Sequence, residues 1–332
     1  MSAPASPSDL NSVADGRATS SPRNQALLAL SFAAVYIIWG STYFAIRVGV
    51  ESFPPFLLAG LRHFTVGLVF FPLFRYVTKE KPSRAQWRTT AITGVLLLLC
   101  GNGTVSWAEK YVPSGIAALL VATVSIWMVL ADWFRPGGSR PVFRVLLGCF
   151  LGFVGVVLLV DPGHLVGSER IYPFGAFALT LAAMAWGIGS VYSKHNPIPH
   201  SPMLGVAMQM LAGGGALMLV AVLAGEFRNL HWAQISTRSW IALVYLVIMG
   251  SGVGFSGYVY ILKHSTAARV STYAFVNPAV ALFLGWLLGG ERLTLRTFLA
   301  SAIILASVLL VITAPHRSPT QIEDSVPAPG EA

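Results

Sequence analysis

Arg62 places a guanidinium inside an otherwise apolar stretch, LLAGLRHF. Arginine at the centre of a membrane helix costs about 2.5–3.5 kcal/mol, so an arginine in such a place has a function or a specific partner. Arg62 could anchor a carboxylate or another anion. Its long side chain could equally reach an interface or bond a helix end. Gln209, 147 positions later, puts a second polar side chain at the same depth of a related segment.

Amide and hydroxyl groups in two glycine-rich segments form a second set of candidates. Asn102 in GNG and Ser251 in GSG are 149 positions apart and occupy corresponding depths, so both could contact a substrate, whereas the glycines favour close helix packing. Asn277 precedes Pro278, which frees the carbonyl of Ala274 from its helical hydrogen bond. That kink could be a gate or a static bend filled by a neighbouring helix.

Aromatic side chains within apolar segments are not explained by the belt that aromatics form at membrane interfaces. They could line a box for planar or apolar substrate groups, with indole and phenol groups as donors, or simply fill the core. They are Trp39, Tyr43, Trp127, Trp186, Tyr192 and Tyr273, with Trp107 and Tyr258 in the glycine-rich segments.

Acidic residues lie near the ends of the apolar segments, as at Glu109, Asp132 and Asp161. This position favours solvated charges or contacts with helix ends. Because no acidic residue lies clearly in mid-membrane, the sequence predicts no carboxylate site for proton coupling. The two cysteines, Cys100 and Cys149, lie in separate apolar runs, which provides neither a disulfide framework nor a metal site. No metal, cofactor or catalytic residue is predicted.

The composition is that of a membrane protein. Charged residues make up 11% of the chain and apolar residues 55%, whereas a soluble domain has about 25% charged residues. The net charge of +9 comes from residues scattered between apolar runs, which excludes a nucleic-acid groove and favours contact with anionic lipid. The lipid bilayer is therefore the expected partner.

Ten apolar segments are long enough to cross a bilayer as helices, and the polar tails 1–25 and 314–332 are predicted to be disordered and cytoplasmic. The segments are Ala26–Arg47, Phe56–Val77, Trp87–Ala108, Ser114–Phe134, Val142–Val160, Tyr172–Ser193, Pro202–Gly225, Ser239–Leu262, Ala268–Gly289 and Thr294–Thr313.

The second half of the chain repeats the first. Trp39 and Gly40 in IWGSTYF recur as Trp186 and Gly187 in AWGIGSVY, 147 positions later. Five spans in each copy, an odd number, insert the copies in opposite directions. With the N-terminus inside, 14 Lys and Arg residues lie on the cytoplasmic side and seven outside. We therefore predict an all-α membrane protein of two inverted five-helix repeats, 26–162 and 170–313, an arrangement typical of secondary transporters.

Three stretches resemble the EamA-domain proteins of the drug/metabolite transporter superfamily. They are YIIWGSTYFAIRVGVESFPPFLLAGLRH, VPSGIAALLVATV and YAFVNPAVALFLGWLLGGERLT, and they look closest to the YedA-like exporter branch. The resemblance implies a ten-helix bundle in the bacterial inner membrane, with cytoplasmic termini and a central cavity that passes amino acids and related metabolites outward. The first copy departs from the pattern, with Ser125 opposite Pro278 and Gly138 opposite Glu291.

Other functions stay open. A nucleotide-sugar or sugar-phosphate carrier would need several basic cavity residues, and Arg62 is the one found within a predicted span. A membrane enzyme acting on a lipid-linked substrate would need acids, histidines or metal ligands gathered at one interface. Gly148 and Gly152 form a GxxxG motif that could serve a homodimer or contacts within the bundle. The histidines are scattered, at His63, His164, His195, His200, His231, His264 and His316.

Overall fold

A computed structural model describes residues 22–111, 117, 120–138, 140–160, 173–228, 230–289 and 295–315. Within these ranges the chain is helical and contains no strand. Four predicted features lie outside the described residues: most of the polar tails, the start of the fourth span, the connection between the two repeats, and Glu291.

In the described part of the chain, ten helices correspond to the ten predicted spans, although α4 occupies only the second half of its span, and six of the ten are long and apolar enough to cross a membrane. Four of the described helices, α1, α2, α6 and α7, begin with a proline, which suits a first turn that has no backbone acceptor for its N–H groups. The helices are α1 (Pro22–Val50), α2 (Pro55–Thr78), α3 (Arg84–Ala108), α4 (Val124–Phe134), α5 (Phe143–Val160), α6 (Pro173–His195), α7 (Pro202–Leu223), α8 (Thr237–His264), α9 (Tyr273–Gly289) and α10 (Leu295–Ile312).

The helix contacts follow a two-fold pattern that exchanges the repeats. Helix α2 packs on its repeat mate α7, and α5 packs on α10. Helix α1 contacts α8 and α9, just as α6 contacts α3 and α4. Exchanging the repeats therefore reproduces the principal contacts, as the duplicated sequence predicts.

Glycines bring the two repeats together at the α2–α7 contact. Gly67 and Gly214 are 147 positions apart, and so are Phe64 and Leu211. A Cβ on Gly214 would lie 2.5 Å from the backbone nitrogen of Phe64, and one on Gly67 would lie 2.6 Å from that of Leu211. Both distances are too short for any side chain, so this interface requires glycine on both helices.

The GxxxG motif of α5 makes contacts within the chain. A Cβ on Gly148 would lie 2.5 Å from Val311 of α10, and one on Gly152 would lie 2.7 Å from Phe275 of α9. Both glycines thus support packing inside the bundle.

Three helices widen into π-helical turns at the level of the polar candidates. These turns span Val35–Trp39 in α1, Val95–Gly103 in α3 and Leu246–Gly254 in α8. The α3 and α8 turns are repeat mates and contain Asn102 and Ser251, respectively. Turns of this kind are rare and frequently occur at functional sites, because they change the direction of the side chains they carry.

Candidate functional site

A cavity lies between the two repeats, bounded by α1, α2, α3, α6 and α9 and by residues of α4 and the turn before it. It encloses about 70 Å³, whereas pockets that hold small ligands are about 300–1,000 Å³. The structure is therefore closed around the cavity, and a substrate of metabolite size would require the helices to separate. Seven of the predicted site residues line it: Trp39, Tyr43, Arg62, Asn102, Trp186, Tyr273 and Asn277.

Arg62 lies at the cavity wall and bonds to two of the other predicted polar residues. Its side chain is 3% exposed. Its Nε donates a hydrogen bond to Ser251 Oγ at 2.9 Å, and its Nη1 donates to Asn102 Oδ1 at 3.4 Å. Among the described residues no carboxylate lies within 4 Å of the guanidinium. The two hydrogen bonds of the guanidinium therefore go to neutral acceptors.

His63 belongs to the same network, although no sequence pattern separates it from the other histidines. Its Nδ1 lies 3.1 Å from Ser251 Oγ and 3.2 Å from Met210 Sδ. Its Nε2 is buried and has no hydrogen-bond partner in the described part of the chain. His63 therefore helps to orient the serine that accepts from Arg62.

The paired tryptophans meet beside Arg62. The ring centroids of Trp39 and Trp186 are 5.5 Å apart and the planes are nearly perpendicular, an edge-to-face arrangement. Tyr258 lies 4.9 Å from Trp39, and Tyr273 lies 5.3 Å from it. These four rings form an aromatic cluster built from both repeats.

Hydrogen bonds fix the two indoles. Trp39 Nε1 donates to the carbonyl of Gly250 at 3.1 Å, and Trp186 Nε1 donates to Tyr258 Oη at 3.2 Å. The Tyr258 hydroxyl also makes a short hydrogen bond with Ser190. Both indole donors are therefore occupied in the closed cavity.

Asn277 bonds to backbone carbonyls beside Pro278 of α9. With its amide oriented to suit its neighbours, its nitrogen donates to the carbonyl of Tyr36 at 3.2 Å and to that of Tyr273 at 3.1 Å. The amide thus bridges α1 and α9 next to Pro278. Helix α9 continues through Pro278 to Gly289.

The other predicted residues lie outside the cavity lining. Ser251 and Tyr258 are fully buried behind it and contact Arg62 and the tryptophans. Trp107 packs against Phe174, with ring centroids 5.8 Å apart. Gln209 is buried in α7, where its amide nitrogen lies 3.5 Å from Ser193 Oγ. Trp127 packs on Gly187 of α6.

Glu109 differs from its expected setting. The sequence places it directly after α3, where a solvated charge is expected, yet both of its carboxylate oxygens are buried and lack a hydrogen-bond partner in the described residues. It follows Asn102 by seven residues, which is two helical turns, so it lies on the same face of α3. This spacing is the signal that could have marked it.

Comparison with known proteins gives the family. The model of the EamA-like transporter family matches residues 26–161 and again 173–313. The inner membrane transporter YedA of Escherichia coli K12 is 37% identical over 289 residues, which cover 87% of this chain and 91% of YedA. A probable amino-acid metabolite efflux pump of the same organism is 27% identical over 304 residues, covering 87% of this chain and 94% of the pump.

A solved crystal structure shares the fold. It superposes with a TM-score of 0.68 at 20% identity, covering 86% of this chain and 96% of the other. The family match extends over both repeats, and the described helices supply the apolar spans that a membrane carrier needs. The chain belongs to the EamA-like transporter family and is a membrane transporter of that family.

Proposed function

We propose that this transporter exports small metabolites that combine an anionic group with an apolar or planar part, such as amino acids or amphipathic drug-like compounds. One observation carries the proposal: Arg62, buried without a described carboxylate partner, faces the same closed cavity as Trp39 and Trp186. The guanidinium would bind the anionic group, and the rings would pack on the apolar part.

The closed cavity favours alternating access. Trp39 and Trp186 come from oppositely oriented repeats and contact each other across it. Rocking of one repeat against the other would open the cavity first to one side and then to the other. The glycine contact between α2 and α7 would be the surface on which the repeats move, and the kink at Pro278 would be a gate.

A carrier of nucleotide sugars or sugar phosphates fits the cavity less well. A phosphate needs several basic side chains, and Arg62 is the one basic residue among the described residues of the lining. A single guanidinium suits a carboxylate, whose two oxygens match its geometry.

The bacterial inner membrane is the proposed location, with both termini cytoplasmic. The distribution of Lys and Arg supports this orientation, and the related YedA is named an inner membrane transporter. The relative named as a probable amino-acid metabolite efflux pump supports outward movement of amino acids. Association as a homodimer stays a prediction.

Efflux from cells tests this function. A bacterial strain expressing the chain is loaded with dipeptides that release amino acids inside, and the amino acids in the medium are measured over time. We expect faster efflux than in the same strain expressing Arg62→Met at an equal membrane level. Equal efflux from the two strains, and equal resistance to toxic amino-acid analogues, would contradict the proposal.

A further inference from the structure

Glu109 is a buried carboxyl group on the cavity side of α3. Asn102 and Val105 line the cavity, and Glu109 follows Val105 by one turn on the same helical face. Both of its oxygens are buried, and neither has a hydrogen-bond partner among the described residues. A buried polar group without a partner is costly, so it indicates a ligand or a bound proton.

Two arginines and a tyrosine of α1 and α2 interact with Glu109. Arg47 and Tyr43 of α1 and Arg62 of α2 interact with it electrostatically, and the exposed Lys110 follows it in the chain. No ion pair within 4 Å joins Glu109 to either arginine in the described structure. The cavity wall thus carries a guanidinium without an ion-pair partner, and a carboxyl group without a hydrogen-bond partner lies one helical turn beyond the lining residue Val105.

This arrangement is complementary to a zwitterion. An amino acid carries a carboxylate and an ammonium group close together, and each would find an opposite charge here. We propose that Glu109 binds the ammonium group of a zwitterionic amino acid whose carboxylate is held by Arg62, and that binding releases one proton from Glu109. The inference rests on the proposed function and specifies its substrate class.

The proton balance follows from the surroundings of Glu109 in the empty site. Burial raises the pKa of the Glu109 carboxyl group to about 8, although Arg47 and Arg62 oppose this shift, so the group is neutral at pH 7. The positive charge of a bound ammonium group stabilises the ionised form of Glu109 over the protonated form. The O–H bond of Glu109 then breaks, its electron pair stays on the carboxylate, and the proton passes to water. Substrate and proton therefore compete for Glu109.

Competition at Glu109 would also serve export. If α3 ends on the outer side, as the Lys and Arg distribution predicts, Glu109 lies at the outer end of the cavity. A proton entering from outside would displace the ammonium group and release the amino acid there. The inward proton gradient would then drive outward movement of substrate.

Binding measurements on the full-length protein in nanodiscs test the inference. The probes are L-leucine and 4-methylpentanoate, which has the same carbon skeleton without the amine. For the wild type we expect release of about one proton per L-leucine bound at pH 7. The Kd for L-leucine should fall about tenfold from pH 6 to 7, about fivefold from pH 7 to 8, and level off at higher pH. The Kd for 4-methylpentanoate should not fall with pH.

Glu109→Gln retains the shape of the neutral carboxyl group, so the variant should fold. We expect it to bind L-leucine with no proton release and no pH dependence, and to resemble the wild type at pH 6. Glu51→Gln, which changes an exposed glutamate on the same predicted side, is the matched control and should behave as the wild type. Infrared spectra should show a protonated carboxyl band that disappears above pH 8 in the wild type and is missing in Glu109→Gln.

The possible failures are distinguishable. Equal binding of the two probes with no proton release would overturn the role of Glu109 and leave the proposed export function intact. Binding of neither probe would overturn both. A wild-type spectrum without the carboxyl band at pH 6 would also overturn the proposal, whatever the binding data show.

Discussion

Replacing Arg62 by methionine should abolish most substrate binding without lowering stability. Methionine has a similar length and no charge, so it fills the same space beside Asn102 and Ser251. A charge-assisted hydrogen bond contributes about 1.5–3 kcal/mol, and each 1.4 kcal/mol is tenfold in affinity. Losing one such bond to a substrate carboxylate should raise the Kd by about 10- to 150-fold.

The stability of the same variant follows from the contacts of Arg62. Its hydrogen bond to Ser251 at 2.9 Å is of ordinary length, whereas that to Asn102 at 3.4 Å is long and weak. Losing the hydrogen bond to Ser251 lowers the free energy of unfolding by about 1.5–3 kcal/mol. Removing a charge from the membrane interior raises it by about 2.5–3.5 kcal/mol. The two terms cancel, so the melting temperature should stay within a few degrees of the wild type.

The assay combines thermal unfolding in detergent with uptake of radiolabelled L-leucine into proteoliposomes. Gln209→Met is the control. Gln209 is the repeat mate of Arg62, but it is buried outside the cavity lining. The control should retain wild-type transport. Unchanged transport by Arg62→Met would refute the anchor role, and a melting temperature that fell along with transport would assign Arg62 a structural role instead.

Two further predictions concern stability and are read by thermal unfolding. Gly214→Ala should destabilise the protein by about 1–3 kcal/mol, because the added Cβ would lie 2.5 Å from the backbone nitrogen of Phe64. Gly215→Ala is the control and should be neutral, because its Cβ would lie 3.7 Å from the ring of Phe64. A neutral Gly214→Ala would show that the α2–α7 contact is looser than described. Glu226→Ala should cost about 1–2 kcal/mol, because its carboxylate accepts two backbone N–H groups in the first turn of α2, and Glu51→Ala should cost little. Equal melting of these two variants would contradict the capping role.

The fold was predictable because the sequence retains its duplication. The offset of 147 that relates Trp39 to Trp186 also relates Phe64 to Leu211, and in the structure each of these pairs occupies equivalent positions of the two repeats. The number and order of the helices follow from the apolar runs, since a bilayer fixes their minimum length.

The site was only partly predictable. Depth in the membrane could be read from the sequence, but the direction of each side chain could not, because helices that are apolar on every face lack an amphipathic pattern. Trp107 and Trp127 are therefore predicted for the cavity along with Trp39 and Trp186, which the repeat favours, yet Trp107 and Trp127 pack outside the cavity lining. The sequence does not mark Glu109 as a cavity residue, because the end of an apolar run predicts the start of solvent.

Accessibility of the cavity tests the central claim most directly. In a background without Cys100 and Cys149, Ala183→Cys places a thiol in the cavity lining, and Ala207→Cys places one in a fully buried position outside the lining. A membrane-impermeant methanethiosulfonate should modify residue 183 from either side of the membrane, more slowly when L-leucine is present, and should leave residue 207 unmodified. Modification of residue 183 from one side alone, or at a rate that L-leucine does not change, would contradict a central site that opens to each side in turn.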